Sequence, residues 1–230
     1  MSELLAVDLG TMPYAEALEF QRAVARARIS GEIAEDVLLL VEHPPVVTLG
    51  RTAKAANLVA SPEQLAARGV EVFEVERGGD ITFHGPGQLV GYPIIDLKRH
   101  KQDLHWYLRQ VEEALIAALA GLGIPAVRNE GKTGVWTQGR KIASIGVHAR
   151  DWVTWHGFAL NVNTDLSFFD LIVPCGIQDV TMTSVARELG LLRADDVRVR
   201  DETVRAFGRV FGLAPRTTSR AELQPAVHAA

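Results

Sequence analysis

The sequence is poorest in cysteine, with one in 230 residues. A single thiol cannot close an intramolecular disulfide, so a cystine framework is excluded and a reducing compartment is expected. Long apolar runs are missing as well. No stretch approaches the ~20 uninterrupted apolar residues of a membrane-spanning helix. The opening residues, Met1-Ser2-Glu3-Leu4-Leu5, lack a basic stretch followed by a long apolar core, so no secretory leader is expected. Basic excess is absent too: 24 Lys and Arg against 28 Asp and Glu give a net charge of −4. A general nucleic-acid binder would be strongly basic. These absences point to a cytoplasmic protein with neither nucleic acid nor membrane among its partners.

Several catalytic signatures also fail. Gly131-Lys132-Thr133 resembles the end of a phosphate-binding loop, but that loop needs glycine five positions earlier, where Ala126 stands. Gly85, Gly87 and Gly91 do not have dinucleotide-fingerprint spacing. A serine-nucleophile elbow at Ser144 would need glycine at Ile142. None of the seven histidines falls in a zinc pattern with a neighbouring cysteine or acid, so no metal is expected.

What is present is an ordinary globular composition, 47% hydrophobic, long enough for one large domain or two small ones. Residues 4–9 read as a strand, and Thr11 with Pro13 marks the start of an amphipathic helix from Tyr14 to Ile29, stopped by Gly31. Two β-branched runs follow, Val37 to Val41 and Val46 to Leu49, separated by a bend at His43-Pro44-Pro45. Ser61-Pro62-Glu63 opens a brief helix, and strands are expected at Val70 to Val75 and Leu89 to Leu97. Leu104, Leu108, Val111, Leu115, Leu119 and Leu122 recur at helical spacing over 103–122, with a stop at Gly121, Gly123 and Pro125. Residues 134–162 alternate as in a meander, 164–182 is irregular, and helices are expected at Thr183 to Leu189 and Asp201 to Phe211. The expected fold class is α+β, a mixed sheet core with flanking helices. It forms one domain over 1–214, with room for a small C-terminal helical lobe, and 215–230 reads as a loose tail.

Three features carry chemistry. Cys175, in Val173-Pro174-Cys175-Gly176, reads either as a small buried hydrophobe or as a functional thiol in a Pro/Gly-framed loop, where the glycine would leave its N–H free. Lys141, in Gly139-Arg140-Lys141-Ile142-Ala143-Ser144-Ile145-Gly146, is either a solvated hairpin lysine or an inward one alongside Ala143 and Ile145. Beside a thiol it would favour the thiolate. The segment 77–88 is either a glycine-rich turn or backbone wrapped tightly around a bound group.

Taken together, four motifs resemble the octanoyl-[acyl-carrier-protein]:protein N-octanoyltransferases, the lipoate–protein ligase B family. They are Arg77-Gly78-Gly79-x-Ile81-Thr82-Phe83-His84-Gly85-Pro86-Gly87-Gln88; Gly139-x-Lys141-Ile142-Ala143-x-Ile145-Gly146; His156-Gly157-x-Ala159-Leu160-Asn161-Val162; and Pro174-Cys175-Gly176. The resemblance runs from about residue 37 to 190 and implies the fold of the biotin and lipoate ligase catalytic domains. It implies transfer of an octanoyl group from octanoyl-acyl carrier protein to one lysine of lipoyl domains. Those acceptors are the lipoyl domains of 2-oxoacid dehydrogenase complexes and the glycine cleavage H protein. Carried onto this chain, Cys175 is the acyl-thioester nucleophile and Lys141 its activating partner. The substrate pocket is formed by Arg77, Gly78, Gly79, Asp80, Ile81, Thr82, Phe83 and His84, by Ser144, Ile145 and Gly146, and by Gly157, Phe158 and Ala159. Position 80 varies within the family pattern, so Asp80 is given no chemistry of its own.

That implied chemistry agrees with the failed motifs. Thioester exchange onto a cysteine is nearly isoergic and amide formation is downhill, so neither ATP nor a cofactor is needed beyond the covalent octanoyl thioester on Cys175. A free thiol is only a few per cent ionised at pH 7, and the acceptor lysine must lose a proton before attacking, so Lys141 is expected to serve both steps. The Gly176 N–H, or amides near Gly78-Gly79, would hold the oxyanion. Lys98-Arg99-His100-Lys101 reads as a solvated helix entry or as a docking site for the acidic carrier. Nothing in the sequence demands more than a monomer. The rival readings are an ATP-dependent lipoate or biotin ligase, a non-catalytic acyl-carrier-binding module, and a Cys–His thioester hydrolase.

Overall fold

The computed structural model describes residues 2–177 and 180–223. The strand runs of the sequence assemble into an eight-stranded mixed sheet. Its members are β1 (Glu3–Thr11), β2 (Asp36–Glu42), β6 (Gln88–Ile94), β7 (Val127–Asn129), β8 (Lys132–Thr137), β9 (Arg140–Arg150), β10 (Val153–Asn161) and β11 (Ala214–Thr218). The order is β11-β1-β2-β6-β10-β9-β8-β7; β1 runs parallel to both its neighbours, and the rest of the sheet is antiparallel. A smaller sheet, β4-β3-β5, is formed by β3 (Val46–Leu49), β4 (Glu71–Glu74) and β5 (Ile81–His84).

Strand alternation splits the core. Leu38, Leu40, Leu89, Phe158 and Leu160 share a core with α3 (Leu104–Gly121), α4 (Val185–Glu188) and α5 (Asp196–Phe211) on one side of the large sheet. Val37, Leu39, Val41, Val90 and Ala159 face the other side, covered in part by α1 (Tyr14–Ser30). Because both faces of β2 are covered, its run of apolar residues is continuous rather than alternating. A third core, including Ile81, Phe83, Phe169 and Leu171, fills the space beneath the small sheet. A cavity lies between the two sheets.

Punctuation residues act as expected in most places. Pro13 precedes α1, which ends at Gly31 with φ 88°. Ser61 and Gln64 form a reciprocal capping box on α2 (Pro62–Ala67). Four expectations need correction. On α3 the buried face is Tyr107, Val111, Ala114, Leu115, Ala118 and Leu119, whereas Leu104 is exposed. Helix α5 starts at Asp196, not Asp201, because the Asp195 carboxylate accepts the Val197 and Arg198 N–H groups. It packs along α3 in the main core instead of forming a separate lobe. Residues 215–218, the start of the expected loose tail, belong to β11 and pair with β1; residues 224–230 lie outside those described. No helix among the described residues is long and apolar enough to cross a membrane.

Candidate active site

Lys141 and Cys175 are 34 residues apart in sequence, yet Lys141 Nζ donates to Cys175 Sγ at 3.1 Å. Backbone bonds at both ends of the irregular loop make this possible. Upstream, the Val173 N–H donates to Asn57 O at 2.7 Å, and Ile172 bridges Leu58. Downstream, the Lys141 N–H donates to Thr181 O and the Thr183 N–H to Lys141 O, so the strand that carries the lysine also holds the loop's exit. Between these anchors the chain makes a tight turn with Cys175 at φ 56° and Gly176 at φ 64°. A non-glycine residue in that region stores strain, which persists only where its surroundings over-determine it. The turn presents Sγ half-exposed at the cavity, 3.9 Å from Ser144 Oγ.

Lys141 is 1% exposed, and among the described residues no carboxylate lies within 4 Å of its ammonium. The sulfur and the Trp136 ring, 5.0 Å from Nζ to its centroid, are its electron-rich neighbours. The expectation that Lys141 lies inward is met, but simple alternation with Ala143 fails. The β8–β9 register shifts by one residue, so Val135 faces Ala143 while Trp136 faces Lys141. Such a bulge re-aims a side chain beside a functional site. Gly134 leaves the room that Lys141 uses: a methyl there would meet Lys141 Cε at 2.9 Å.

Next to the sulfur is a cavity of about 280 Å³. Its walls come from β9 (Ser144, Ile145, Gly146), β10 (Gly157, Phe158, Ala159), β6 (Val90, Tyr92) and the segment 77–84. Register explains the convergence, since Ser144 lies opposite Ala159 and Gly146 opposite Gly157. The glycines let neighbouring backbone close in around it: a methyl on Gly146 would stand 2.8 Å from Gly78 O, and one on Gly157 would overlap Gly91 O. No group of three or more His, Cys, Asp or Glu among the described residues is placed to hold a metal ion.

One side of the cavity is polar. His43 Nδ1–H donates to Met12 O at 2.7 Å, and its Nε2 accepts from Tyr92 Oη at 2.7 Å. His84 Nδ1–H donates to Gln88 Oε1 at 2.9 Å, and its ring stacks on Tyr14. Burial pushes His43 down to about 4 and His84 to about 3, while it raises Tyr14 to about 12. Glu76 is held well below the usual carboxylate range by His156, Arg22 and the Trp155 indole. Arg77, also buried, donates to Thr48 O, Thr48 Oγ1 and Gly78 O.

The neutral histidines set a pH limit on stability. Unfolded, both ionise near 6.5, so below that the unfolded chain takes up protons that the folded chain refuses. Stability is therefore expected to fall as pH drops from 6.5 towards 4, by about 3 kcal/mol at pH 4 for His43 alone. Urea unfolding between pH 7 and pH 4 measures the loss, and His43→Gln should flatten the curve. An undiminished pH dependence in that variant would show the loss to arise elsewhere.

Most residues expected around the pocket border the cavity, with two departures. Phe83 points the other way, stacked on Phe168 at 4.7 Å, because strand alternation turns it into the third core while Thr82 and His84 face the cavity. Gly78 sits behind the wall, its N–H donating to Val147 O at 2.8 Å. The Gly176 N–H is not free either, since it donates to Val173 O at 3.0 Å. The basic run 98–101 is engaged locally: Lys98 with Asp96, Arg99 with Ala34 O, Lys101 with Asp103. Sequence reasoning missed Tyr14, Val90, Tyr92, His156 and Ile177. It also missed Gly131-Lys132-Thr133, the failed phosphate-loop match, which borders the cavity mouth. His156 adjoins an expected motif glycine and, at φ 55°, is the kind of strained residue that marks a site.

Comparison with known proteins gives the chain its family. The model of the lipoyl protein ligase A/B catalytic domain matches residues 13–208. An octanoyltransferase from Rubrobacter xylanophilus is 56% identical over 205 residues, covering 88% of this chain and 91% of its own length. One from a Nostoc species is 48% identical, with 91% and 92% covered. Among solved structures, a putative lipoate protein ligase from Thermoplasma acidophilum with bound lipoic acid superposes with a TM-score of 0.78 at 17% identity, covering 100% of this chain and 94% of that one. That likeness establishes the shared fold. The chain thus belongs to the lipoyl protein ligase A/B catalytic-domain family, among its octanoyltransferases, and is an acyltransferase of protein lipoylation.

Proposed function

We propose that the enzyme takes an octanoyl group from octanoyl-acyl carrier protein, carries it as a thioester on Cys175, and delivers it to the target lysine of a lipoyl domain without ATP or a cofactor. The acceptors in this reading are the lipoyl domains of 2-oxoacid dehydrogenase complexes and the glycine cleavage H protein. The supporting observation is the 3.1 Å Nζ–Sγ contact at the edge of an apolar-walled cavity.

The ammonium of Lys141 pairs with the Cys175 thiolate, which attacks the donor's thioester carbonyl. The carrier thiolate leaves and takes a proton from Lys141, which becomes a neutral amine. The incoming lysine of the lipoyl domain, uncharged when it attacks, forms the amide. Lys141 then takes up the proton that this nitrogen sheds, and the Cys175 thiolate departs. Ammonium and thiolate are both restored, and the sum is thioester plus amine giving amide plus thiol. For the oxyanion we assign the Gly79 N–H. Gly79 borders the cavity, and its N–H has no acceptor among the described residues, whereas those of Gly78 and Gly176 are engaged.

At about 280 Å³ the cavity is at the small end for ligand sites, which suits a medium chain. Burying six or seven methylenes at ~0.8 kcal/mol each favours octanoyl over very short acyl groups by about 5 kcal/mol. A reaction that depends on a free thiol fits a reducing cytoplasm.

Incubation with octanoyl-carrier donor alone should give one octanoyl adduct by intact mass, removable by hydroxylamine. Added lipoyl domain should discharge it, with no ATP present. No adduct at any donor concentration overturns the covalent route. Free octanoate as the main product would indicate a hydrolase, and a requirement for ATP would indicate a ligase.

A further inference from the structure

The two consecutive left-handed residues, Cys175 and Gly176, need an external support, and the structure holds one that the proposed reaction does not use. Asp80 receives Asn57 Nδ2–H on Oδ2 at 2.6 Å. Its other oxygen accepts the Ile81 N–H at 2.8 Å and the Lys54 N–H at 3.3 Å, which fixes the carboxylate to the backbone on two sides. Asn57 in turn accepts the Val173 N–H on its main-chain oxygen, two residues before the cysteine. The pair also lies directly under the turn: a methyl on Gly176 would stand 2.5 Å from Asp80 Oδ2 and 3.0 Å from Asn57 Nδ2. Gly176 thus rests on the Asp80–Asn57 hydrogen bond, and the sulfur is carried by the residue before it.

We propose that Asp80 and Asn57 are positioning residues whose mutual hydrogen bond forms the floor of the Cys175–Gly176 turn and sets the distance from Sγ to the Lys141 ammonium. Asp80 borders the cavity but acts here through the backbone it supports. The half-buried carboxylate lies against the turn's backbone, so a lost or reversed partner changes the height of the floor. The proposal rests on the reading of Cys175 as the working thiol. It concerns the sulfur's geometry, however, and can be tested without octanoyl transfer.

The test exchanges donor and acceptor. Asn57→Asp faces one carboxylate with another. Adding Asp80→Asn gives the double variant, which restores the same hydrogen bond in the opposite direction at the native net charge. Asn57→Ala removes the bond without adding charge. Alkylation of Cys175 by iodoacetamide at neutral pH should slow about tenfold in Asn57→Asp and several-fold in Asn57→Ala, the scale of one lost hydrogen bond. The double variant should recover to within about twofold of wild type. The slowed variants should lose less ground at alkaline pH, where the thiolate forms without the ammonium's help. A merely structural lesion would lower the melting temperature without moving this pH profile. Wild-type alkylation in both single variants, or a double variant no faster than Asn57→Asp, overturns the proposal. If alkylation behaves as expected but the native enzyme itself transfers no octanoate, the positioning role stands and the functional reading falls.

Discussion

Cys175→Ser is expected to reduce octanoyl transfer by a factor of about a thousand or more, equivalent to roughly 4 kcal/mol of barrier. The substitution is close to isosteric at a half-exposed loop position, so folding should be unaffected. What changes is the nucleophile. A thiol beside an ammonium is readily ionised, whereas a serine hydroxyl is not, and Lys141 offers it a proton rather than a base while it remains charged. An oxyester formed from a thioester donor would also be the more stable ester, a thermodynamic sink that passes its acyl group to an amine far more slowly than a thioester does. Intact-mass analysis should show no adduct, and circular dichroism should show an unchanged melting curve. Retention of a tenth or more of the activity would mean that the acceptor amine attacks the donor directly, with Cys175 a bystander.

How much of this was visible in the sequence depends on the distance over which each feature is determined. Caps and breakers act within a few residues, so Pro13, Gly31 and Ser61 mark element ends correctly from local chemistry. Strand β5 was hidden because its two cavity-facing residues, Thr82 and His84, are polar and its flanks are glycine-rich. The alternation with Ile81 and Phe83 was present but short. Leu104 and Leu108 extended the leucine stripe of α3 past the true contact face, which is set by where α5 and the sheet meet it. Strand β11 depends on β1, some two hundred residues earlier, and no local pattern announces such a pairing.

The site divides in the same way. The resemblance supplied Cys175 and Lys141 as a pair, and the residues alone could not have done so. Their meeting depends on the backbone bonds to Asn57, Thr181 and Thr183 and on a register shift in β8–β9. Tyr14 reaches the cavity because α1 covers that end of the sheet, a consequence of packing that its own neighbours in sequence do not encode. Motif glycines could be recognised as close approaches, but which N–H each one offers could not. Gly176 and Gly78 spend theirs on Val173 O and Val147 O.

Lys141→Met should separate stability from function. A 1% exposed ammonium with no carboxylate within 4 Å among the described residues is costly to bury, and a methionine of similar length would fill the same space without a charge. Replacing buried charges by apolar groups of similar volume is often neutral or stabilising by ~1–4 kcal/mol. Here the partner sulfur is not stranded, since it can take up a proton and become neutral. The melting temperature is therefore expected to hold or rise by a few degrees. Iodoacetamide should react with Cys175 about tenfold more slowly at pH 7, with the deficit closing as pH rises, because the ammonium that favoured the thiolate is gone. Octanoyl transfer should fall further than alkylation, by about a hundredfold or more, since the variant also loses the amine that takes the acceptor's proton. Lys141→Arg separates the two roles: it keeps a cation near the sulfur but cannot become a neutral base, so adduct formation should survive better than discharge to the lipoyl domain. A melting temperature lowered by several degrees with alkylation unchanged would make Lys141 a packing residue and leave the thiol without its activator.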